Sequence, residues 1–287
     1  MMKGTDLKEV LTDEGWRLSF FESEPSAGLI EELNKKLSLE GKVQSWERLQ
    51  SSAGSSLWLF SSGGCTYVFK EFLSRGLFES VGAVFRGTRG RRAWRAALIL
   101  EEAGFLTPQS VVLGERRGIL CAGGNGGNFM VTRFIEGSMG LAIFMKGPLT
   151  EMAKAQPKEA IVLRQNLARE LGALVGRLHA KGIVHGDLRP NNILIQMAGQ
   201  SGFKFYLIDN ERNKLFREIP FALLVKNLVQ IGMLFPSLVG RTDRMRFFKA
   251  YLEAFPMEKA TERLLAKTVW TKTVERLKKI RLRCGNV

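Results

Sequence analysis

Asp187 and Asn192 sit five residues apart in the polar loop His185-Gly-Asp-Leu-Arg-Pro-Asn-Asn192, and a second acid, Asp209, ends the apolar run Phe205-Tyr-Leu-Ile-Asp209. The spacing H-x-D-x-x-x-x-N, followed by an acid at a strand end, is the arrangement that phosphoryl transfer uses. That chemistry needs a carboxylate to orient and deprotonate an acceptor hydroxyl, which Asp187 can supply. It also needs an amide oxygen and a second carboxylate to hold Mg²⁺, and Asn192 and Asp209 have those hard oxygen atoms. His185 and Asp187 lack zinc-ligand spacing. The competing reading is an Asx-rich turn between two core strands, which a lone H-x-D would favour.

These groups need elements to hold them. Ile183-Val184 leads into the loop and Ile193-Leu-Ile195 leads out, two short strand patterns. Before them Leu163, Leu167, Leu171, Leu174, Val175 and Leu178 recur at helical spacing, with Gly182 as the stop. His179, near the end of that helix, reads as a packing or capping histidine.

Further upstream the pattern is strands and small-residue turns. Ser51-Ser-Ala-Gly-Ser-Ser56 precedes Leu57-Trp-Leu-Phe60, and Ser61-Ser-Gly-Gly64 precedes Thr66-Tyr-Val-Phe-Lys-Glu-Phe72. Backbone amides around Ser52, Gly54 and Ser55 could approach phosphate oxygens, although a plain hairpin explains the same residues. Lys70 lies in the following strand. A kinase fold keeps its phosphate-gripping lysine there, and a solvent-facing strand lysine is the other reading. Phe129-Met-Val-Thr-Arg-Phe-Ile135 reads as the last strand of a small antiparallel sheet, with backbone near Arg133 to Ile135 available to an adenine.

Trp94, Leu98 and Leu100 begin a helix that Gly104 and Pro108 stop, and Arg86, Arg89, Arg91, Arg92 and Arg95 cluster at its start. That cluster is either a solvated, mobile face or an anion-binding surface. After Asp209 the pattern is helical. The last helix carries Lys267, Lys272, Arg276, Lys278, Lys279, Arg281 and Arg283, with Trp270, Val274 and Leu277 on one face.

Composition narrows the class. The chain has 287 residues, with 43 Lys and Arg against 28 Asp and Glu, a net charge of +15. Such a field attracts anionic membrane, nucleic acid or an acidic substrate. No aromatic-interleaved basic strand is present, which places nucleic acid last. Cys65, Cys121 and Cys284 are scattered without C-x-x-C pairing, which suits a reducing compartment. The N-terminus has no apolar signal segment. The apolar stretch Phe221 to Phe235 is interrupted by Lys226, Asn227 and Gln230, too short and polar to span a bilayer. We therefore expect a cytoplasmic protein, at most peripheral to a membrane.

The chain resembles the lipopolysaccharide core kinases, the Kdo and heptose kinase family, over about residues 46 to 255. The resemblance rests on Tyr67-Val-Phe-Lys70, Trp94 with Gly104-Phe-Leu-Thr-Pro108, Val131-Thr132, His185 to Leu194, Leu207-Ile-Asp209 and Arg246-Phe-Phe-Lys-Ala-Tyr251. It implies an α+β, two-lobed protein-kinase-like fold with a small antiparallel-sheet N-lobe and a mainly helical C-lobe. The expected division is an N-terminal extension at 1–45, the N-lobe at 46–135 and the C-lobe at 136–287. It further implies ATP and Mg²⁺ as cofactors, an anionic glycolipid acceptor at the inner membrane, Asp187 as base, Asn192 and Asp209 on the metal, and Lys70 on the phosphates. One position departs from the family. Where a Glu usually precedes the helix Trp, to pair with the lysine, this chain has Ala93. That leaves a low-activity kinase-fold regulatory protein as an alternative, beside an aminoglycoside- or choline-kinase-like phosphotransferase.

Overall fold

A computed structural model describes residues 8–12, 14–21, 26–38, 45–51, 54–73, 87–116, 127–199, 201–234 and 238–284, with side chains to 280. Its contacts divide the chain into two units, Met1–Ile99 with Thr107–Glu136, and Leu100–Leu106 with Gly137–Val287. The fold class is α+β and protein-kinase-like: an antiparallel sheet dominates the first unit and helices the second.

The first unit is a seven-stranded antiparallel sheet. In chain order its strands are β1 (Lys8–Leu11), β2 (Trp16–Phe20), β3 (Glu47–Leu49), β4 (Ser55–Ser62), β5 (Cys65–Phe72), β6 (Ser110–Arg116) and β7 (Asn128–Arg133). Across the sheet they run β1-β2-β6-β7-β5-β4-β3. The stretch before residue 46 thus supplies two strands of this sheet, an assignment its mixed polar and apolar residues did not suggest. Helix α1 (Ala27–Leu37), started by the Ser26 side chain accepting from Leu29 N–H, buries Leu29 and Leu33 one turn apart. They join Trp46, Phe60, Tyr67, Phe69 and Phe129 in one core. Trp46 stacks on Phe60 at 4.1 Å and donates its indole N–H to Glu32 at 3.0 Å, so its polar end is satisfied as its ring is buried. The β4–β5 hairpin turns at Gly63-Gly64, both with positive φ (+58° and +76°), the pairing a two-residue hairpin turn demands.

Helix α2 (Arg89–Glu102) follows, and its last turn is grouped with the second unit. Three of its arginines are engaged by neighbours, while Arg95 is exposed. Arg89 donates to Gly54 O at 2.7 Å, Arg92 donates to Gly87 O at 2.7 Å, and Arg91 pairs with Glu115. They fasten the start of the helix to the sheet. Arg86 lies outside the described residues.

The second unit is built on α5 (Pro157–Ala180), a 24-residue helix that buries every residue of the expected Leu163-to-Leu178 stripe. Short helices α3 (Leu141–Lys146) and α4 (Pro148–Ala155) lead into it. After the loop come a three-residue 3₁₀ turn (Pro190–Asn192), β10 (Ile193–Ala198), β11 (Gly202–Leu207), α6 (Phe221–Ile231), α7 (Arg241–Ala254) and α8 (Lys259–Cys284). Strand β10 pairs with both β11 and the two-residue β8 (Met139–Gly140), while β9 (Ile183–Val184) pairs with β12 (Lys214–Leu215). Helix α8 turns Leu265, Val269 and Thr273 inward, at i, i+4 and i+8, and leaves Trp270 47% exposed. The inward stripe is therefore one residue off the Trp270, Val274, Leu277 stripe read from sequence.

The α5–α7 crossing depends on glycine. A Cβ at Gly172 would stand 2.2 Å from Phe247 O, and one at Gly176 would stand 2.6 Å from Tyr251 O. Backbone cannot retreat as a flexible side chain can, so added volume must push the helices apart. Gly172→Ala should cost about 1–3 kcal/mol, read as a lowered thermal midpoint; an unchanged midpoint would contradict this packing.

Candidate active site

In the second unit, β10 and β11 pair antiparallel from Ile193↔Leu207 to Ala198↔Gly202. Asn192 immediately precedes β10 and Ile208 immediately follows β11, and Ile208 N–H donates to Asn192 O at 3.1 Å. Strand register therefore brings Asn192 beside the Ile208-Asp209 segment. The Asn192 side chain is buried, and its Nδ2 donates to Asp187 O at 2.8 Å. With the nitrogen committed, Oδ1 is the atom it can offer a cation. Asp209 is the one non-glycine residue with positive φ among the described residues (φ +61°, ψ +43°). Aspartate tolerates that left-handed region better than most residues, and a 3₁₀ turn over Asn210–Arg212 starts there.

The glycine of His185-Gly-Asp187 has a packing cause. A Cβ at Gly186 would lie 2.2 Å from Arg212 Cβ and 2.4 Å from Arg212 O. Only a bare backbone lets the Asp187 loop lie against the turn after Asp209. Asp187 carries its side chain 19% exposed. Arg189 donates Nε to Oδ1 at 2.8 Å and Nη2 to Oδ2 at 2.5 Å, and Gln230 donates Nε2 to Oδ1 at 3.1 Å. Arg189 is 58% exposed, so water screens its grip.

Both histidines are buried and serve structure. His185 Nδ1 accepts from Asp187 N–H at 3.2 Å, so Nε2–H donates to Ile208 O at 3.1 Å. His179 lies between Tyr251 OH (3.0 Å) and Asn227 Oδ1 (3.2 Å). Asn227 Nδ2 donates in turn to His185 O at 2.6 Å and to Gln230 Oε1 at 3.3 Å. Burial lowers the pKa of both rings, that of His179 to about 4 against the partly opposing hydrogen bond it donates to Asn227. Burial also pushes the Tyr251 phenol up.

Of the residues expected on the first unit, Lys70 lies in β5 opposite Leu57 and Met130, its Nζ 5.0 Å from the centroid of the Phe72 ring. The Arg89 guanidinium lies 5.1 Å from the same ring. Ala93, where the resemblance leads one to expect Glu, is buried in α2. The Gly54 carbonyl accepts from Leu73 N–H at 3.1 Å and from Arg89. Ser55 is a buried β4 residue paired with Phe72, and Ser52 lies outside the described residues. Arg133 N–H donates to Gln109 O and Phe134 N–H to Thr66 O, both at 2.9 Å. Those two amides are therefore spent on the sheet, and Ile135 is the first residue beyond that pairing.

A family model described as the lipopolysaccharide kinase (Kdo/WaaP) family matches residues 68–251, well over half of the 287 residues. The chain belongs to that family. That family is described as one of lipopolysaccharide kinases, which are phosphotransferases. A solved structure titled "WaaP in complex with acyl carrier protein" shares the fold at a TM-score of 0.59 and 20% identity, covering 81% of this chain and 88% of that one. Curated relatives match over short stretches only. A probable bifunctional tRNA threonylcarbamoyladenosine biosynthesis protein of Methanosarcina acetivorans is 46% identical over 48 residues, 17% of this chain and 8% of that protein. The EKC/KEOPS complex subunit bud32 of Aspergillus oryzae is 30% identical over 82 residues, 25% of this chain and 29% of that protein.

Asn227, Gln230 and Arg189 are neighbours of the loop that spacing did not single out. The signal for the first two was present: they are the polar breaks in the apolar stretch of α6.

The neutral His179 ring has a measurable consequence. Its folded pKa of about 4 lies below its unfolded value near 6.5. The unfolded chain therefore binds the extra proton first, and stability falls as pH drops from about 6.5 toward 4. The shift corresponds to roughly 3 kcal/mol at its limit. His179→Gln should flatten the pH dependence of the thermal midpoint in that window, leaving the His185 part; an unchanged slope would contradict the burial.

Proposed function

We propose that the protein transfers the γ-phosphoryl group of ATP to a sugar hydroxyl, on Kdo or heptose, of the lipopolysaccharide inner core. The observation that carries the reading is the Ile208–Asn192 hydrogen bond, which joins the Asn192 loop end to the Asp209 segment beside the loop that bears Asp187. One amide oxygen and one carboxylate make a hard, partial ligand set, which suits Mg²⁺ that keeps waters and phosphate oxygens as its remaining ligands. Asn192 and Asp209 would hold that ion, which supplies charge neutralisation on the phosphates. Lys70, on the first unit, binds the α/β-phosphates.

In this reading Asp187 orients the acceptor hydroxyl and takes its proton. The bond from the acceptor oxygen to the γ-phosphorus forms, the γ-phosphorus to bridging-oxygen bond breaks, and ADP leaves with the electron pair. Arg189, exposed and screened, is displaced by the acceptor at low cost. Ala93 stands where the family usually carries the Glu that pairs with this lysine, so an acid serving Lys70 would come from another position.

The acceptor is anionic, and the charge of +15 suits it. Lys267, Lys272, Arg276, Lys278 and Lys279 occupy exposed positions of α8, where each contributes roughly 1 kcal/mol toward an anionic leaflet. Among the described residues no helix is long and apolar enough to cross a membrane, so contact with the bilayer is peripheral in this reading.

Complementation provides the test. Lipid A–core from cells lacking the gene should gain one phosphate by mass spectrometry when wild-type protein is supplied, and none with Asp187→Asn. Removal of a general base costs on the order of 10²–10⁴ in rate. Full modification by the variant would remove Asp187 from its role. Asp209→Ala should instead weaken Mg²⁺-dependent binding of a fluorescent ATP analogue; unchanged affinity would move the metal elsewhere.

A further inference from the structure

Gln230 stands in the apolar helix α6 between Val229 and Ile231, both buried, and is itself buried. A buried amide is costly unless it is fully hydrogen-bonded, so its partners disclose its use. Gln230 Oε1 accepts from Leu188 N–H at 3.2 Å. A backbone N–H can only donate, so the other end of the amide, Nε2, must be the donor that meets Asp187 Oδ1 at 3.1 Å. The amide flip, normally ambiguous, is settled by the backbone.

The same logic fixes the groups behind it. His185 O can only accept, so Asn227 Nδ2 is the nitrogen facing it at 2.6 Å. Asn227 Oδ1 then receives Nε2–H of His179, and His179 Nδ1 receives the hydroxyl proton of Tyr251. A directed chain of hydrogen bonds, Tyr251 to His179 to Asn227 to Gln230 to Asp187, runs from α7 through α5 and α6 to the loop. Every side chain before Asp187 is buried, so the chain does not relax into water.

We propose that Gln230 is a positioning residue for phosphoryl transfer, pinning Asp187 Oδ1 so that Oδ2 is the oxygen presented to the acceptor hydroxyl. The inference rests on the reading of Asp187 as the base. Two groups touch Oδ1, Gln230 and Arg189, but only Arg189 is exposed and able to swing away. When the acceptor displaces it, Gln230 is the contact that remains. The carboxylate then keeps its rotamer at the moment the proton moves, and Oδ2 gains a vacant lone pair on the outer side. Asn227 and His179 act one step further back, holding the Gln230 amide and the His185 carbonyl, and are expected to matter through stability more than through rate.

Two variants separate positioning from packing. Gln230→Glu keeps an oxygen for Leu188 N–H and for Asn227 Nδ2, and replaces only the donor facing Asp187 with a second carboxylate oxygen. Gln230→Met keeps the volume and removes every polar contact. Transfer from radiolabelled ATP to purified dephosphorylated lipid A–core would be followed at low temperature, with binding of Mg²⁺–ATP measured separately. The proposal expects kcat to fall at least tenfold in Gln230→Glu with the KM for ATP close to wild type, since small misplacements of a reacting group cost about that much or more. The facing carboxylates also lower the thermal midpoint at neutral pH, and the loss eases at lower pH as the pair takes up a proton. Gln230→Met should lose rate and midpoint together. A folded Gln230→Glu with kcat within twofold of wild type would overturn the proposal. If that variant does not fold, Gln230→Met decides, and unchanged kcat there overturns it equally. Wild-type protein without transfer, or an active Asp187→Asn, would instead defeat the underlying reading of the site.

Discussion

The antiparallel pairing of β10 with β11 is the constraint on which the second unit depends. Six cross-strand partners set one register, from Ile193↔Leu207 outward. A slip by one residue would turn Ile193, Ile195, Phe205 and Leu207 from the core to the opposite face. It would also part Asn192 from Ile208. The apolar side chains of these strands therefore determine, through register, where two oxygen-bearing side chains outside the strands can meet. Catalytic geometry here is a by-product of which faces must be dry.

The loop between β9 and β10 gains its shape from elsewhere in the unit. Asn192 holds Asp187 O, Asn227 holds His185 O, Lys226 donates to Gly186 O at 3.1 Å, and Gln230 takes Leu188 N–H. Three of these four come from one helix, α6. A loop whose backbone polar groups are met by a neighbouring helix has few alternative conformations, because each change would strand a buried donor or acceptor. Helix α6 is in turn seated by α8, whose inward stripe at Leu265, Val269 and Thr273 covers it.

What could be read from sequence followed the range of each interaction. The Asp187, Asn192 and Asp209 set was legible because its parts lie within local, strongly patterned segments. The α5 stripe was legible for the same reason, since 3.6-residue periodicity sustained from Leu163 to Leu178 leaves little ambiguity. The strands before residue 46 were not, because β2 gains its place by pairing with β6, some ninety residues on, and β1 pairs only with β2. The arginines of α2 were misread for a related reason. Charge counts show only that guanidiniums are present, whereas Gly54 O, Gly87 O and Glu115 decide what they do. Helix α8 shows how narrow the margin is: a stripe displaced by one position exchanges Trp270 for Val269 as the residue packed against the core. Gln230 was visible as a break in an apolar run, but a break does not name its partner.

Asp209 occupies a left-handed backbone position that asparagine also tolerates and that most other side chains resist. The residue is therefore hemmed in by conformation as well as by charge. Drift at this site has one easy exit, to asparagine, which retains the turn and discards the negative charge. A gene copy taking that exit would encode a protein that keeps this turn while losing the carboxylate that the proposed function places on Mg²⁺. In that reading the backbone holds open a one-step passage from enzyme to inert scaffold.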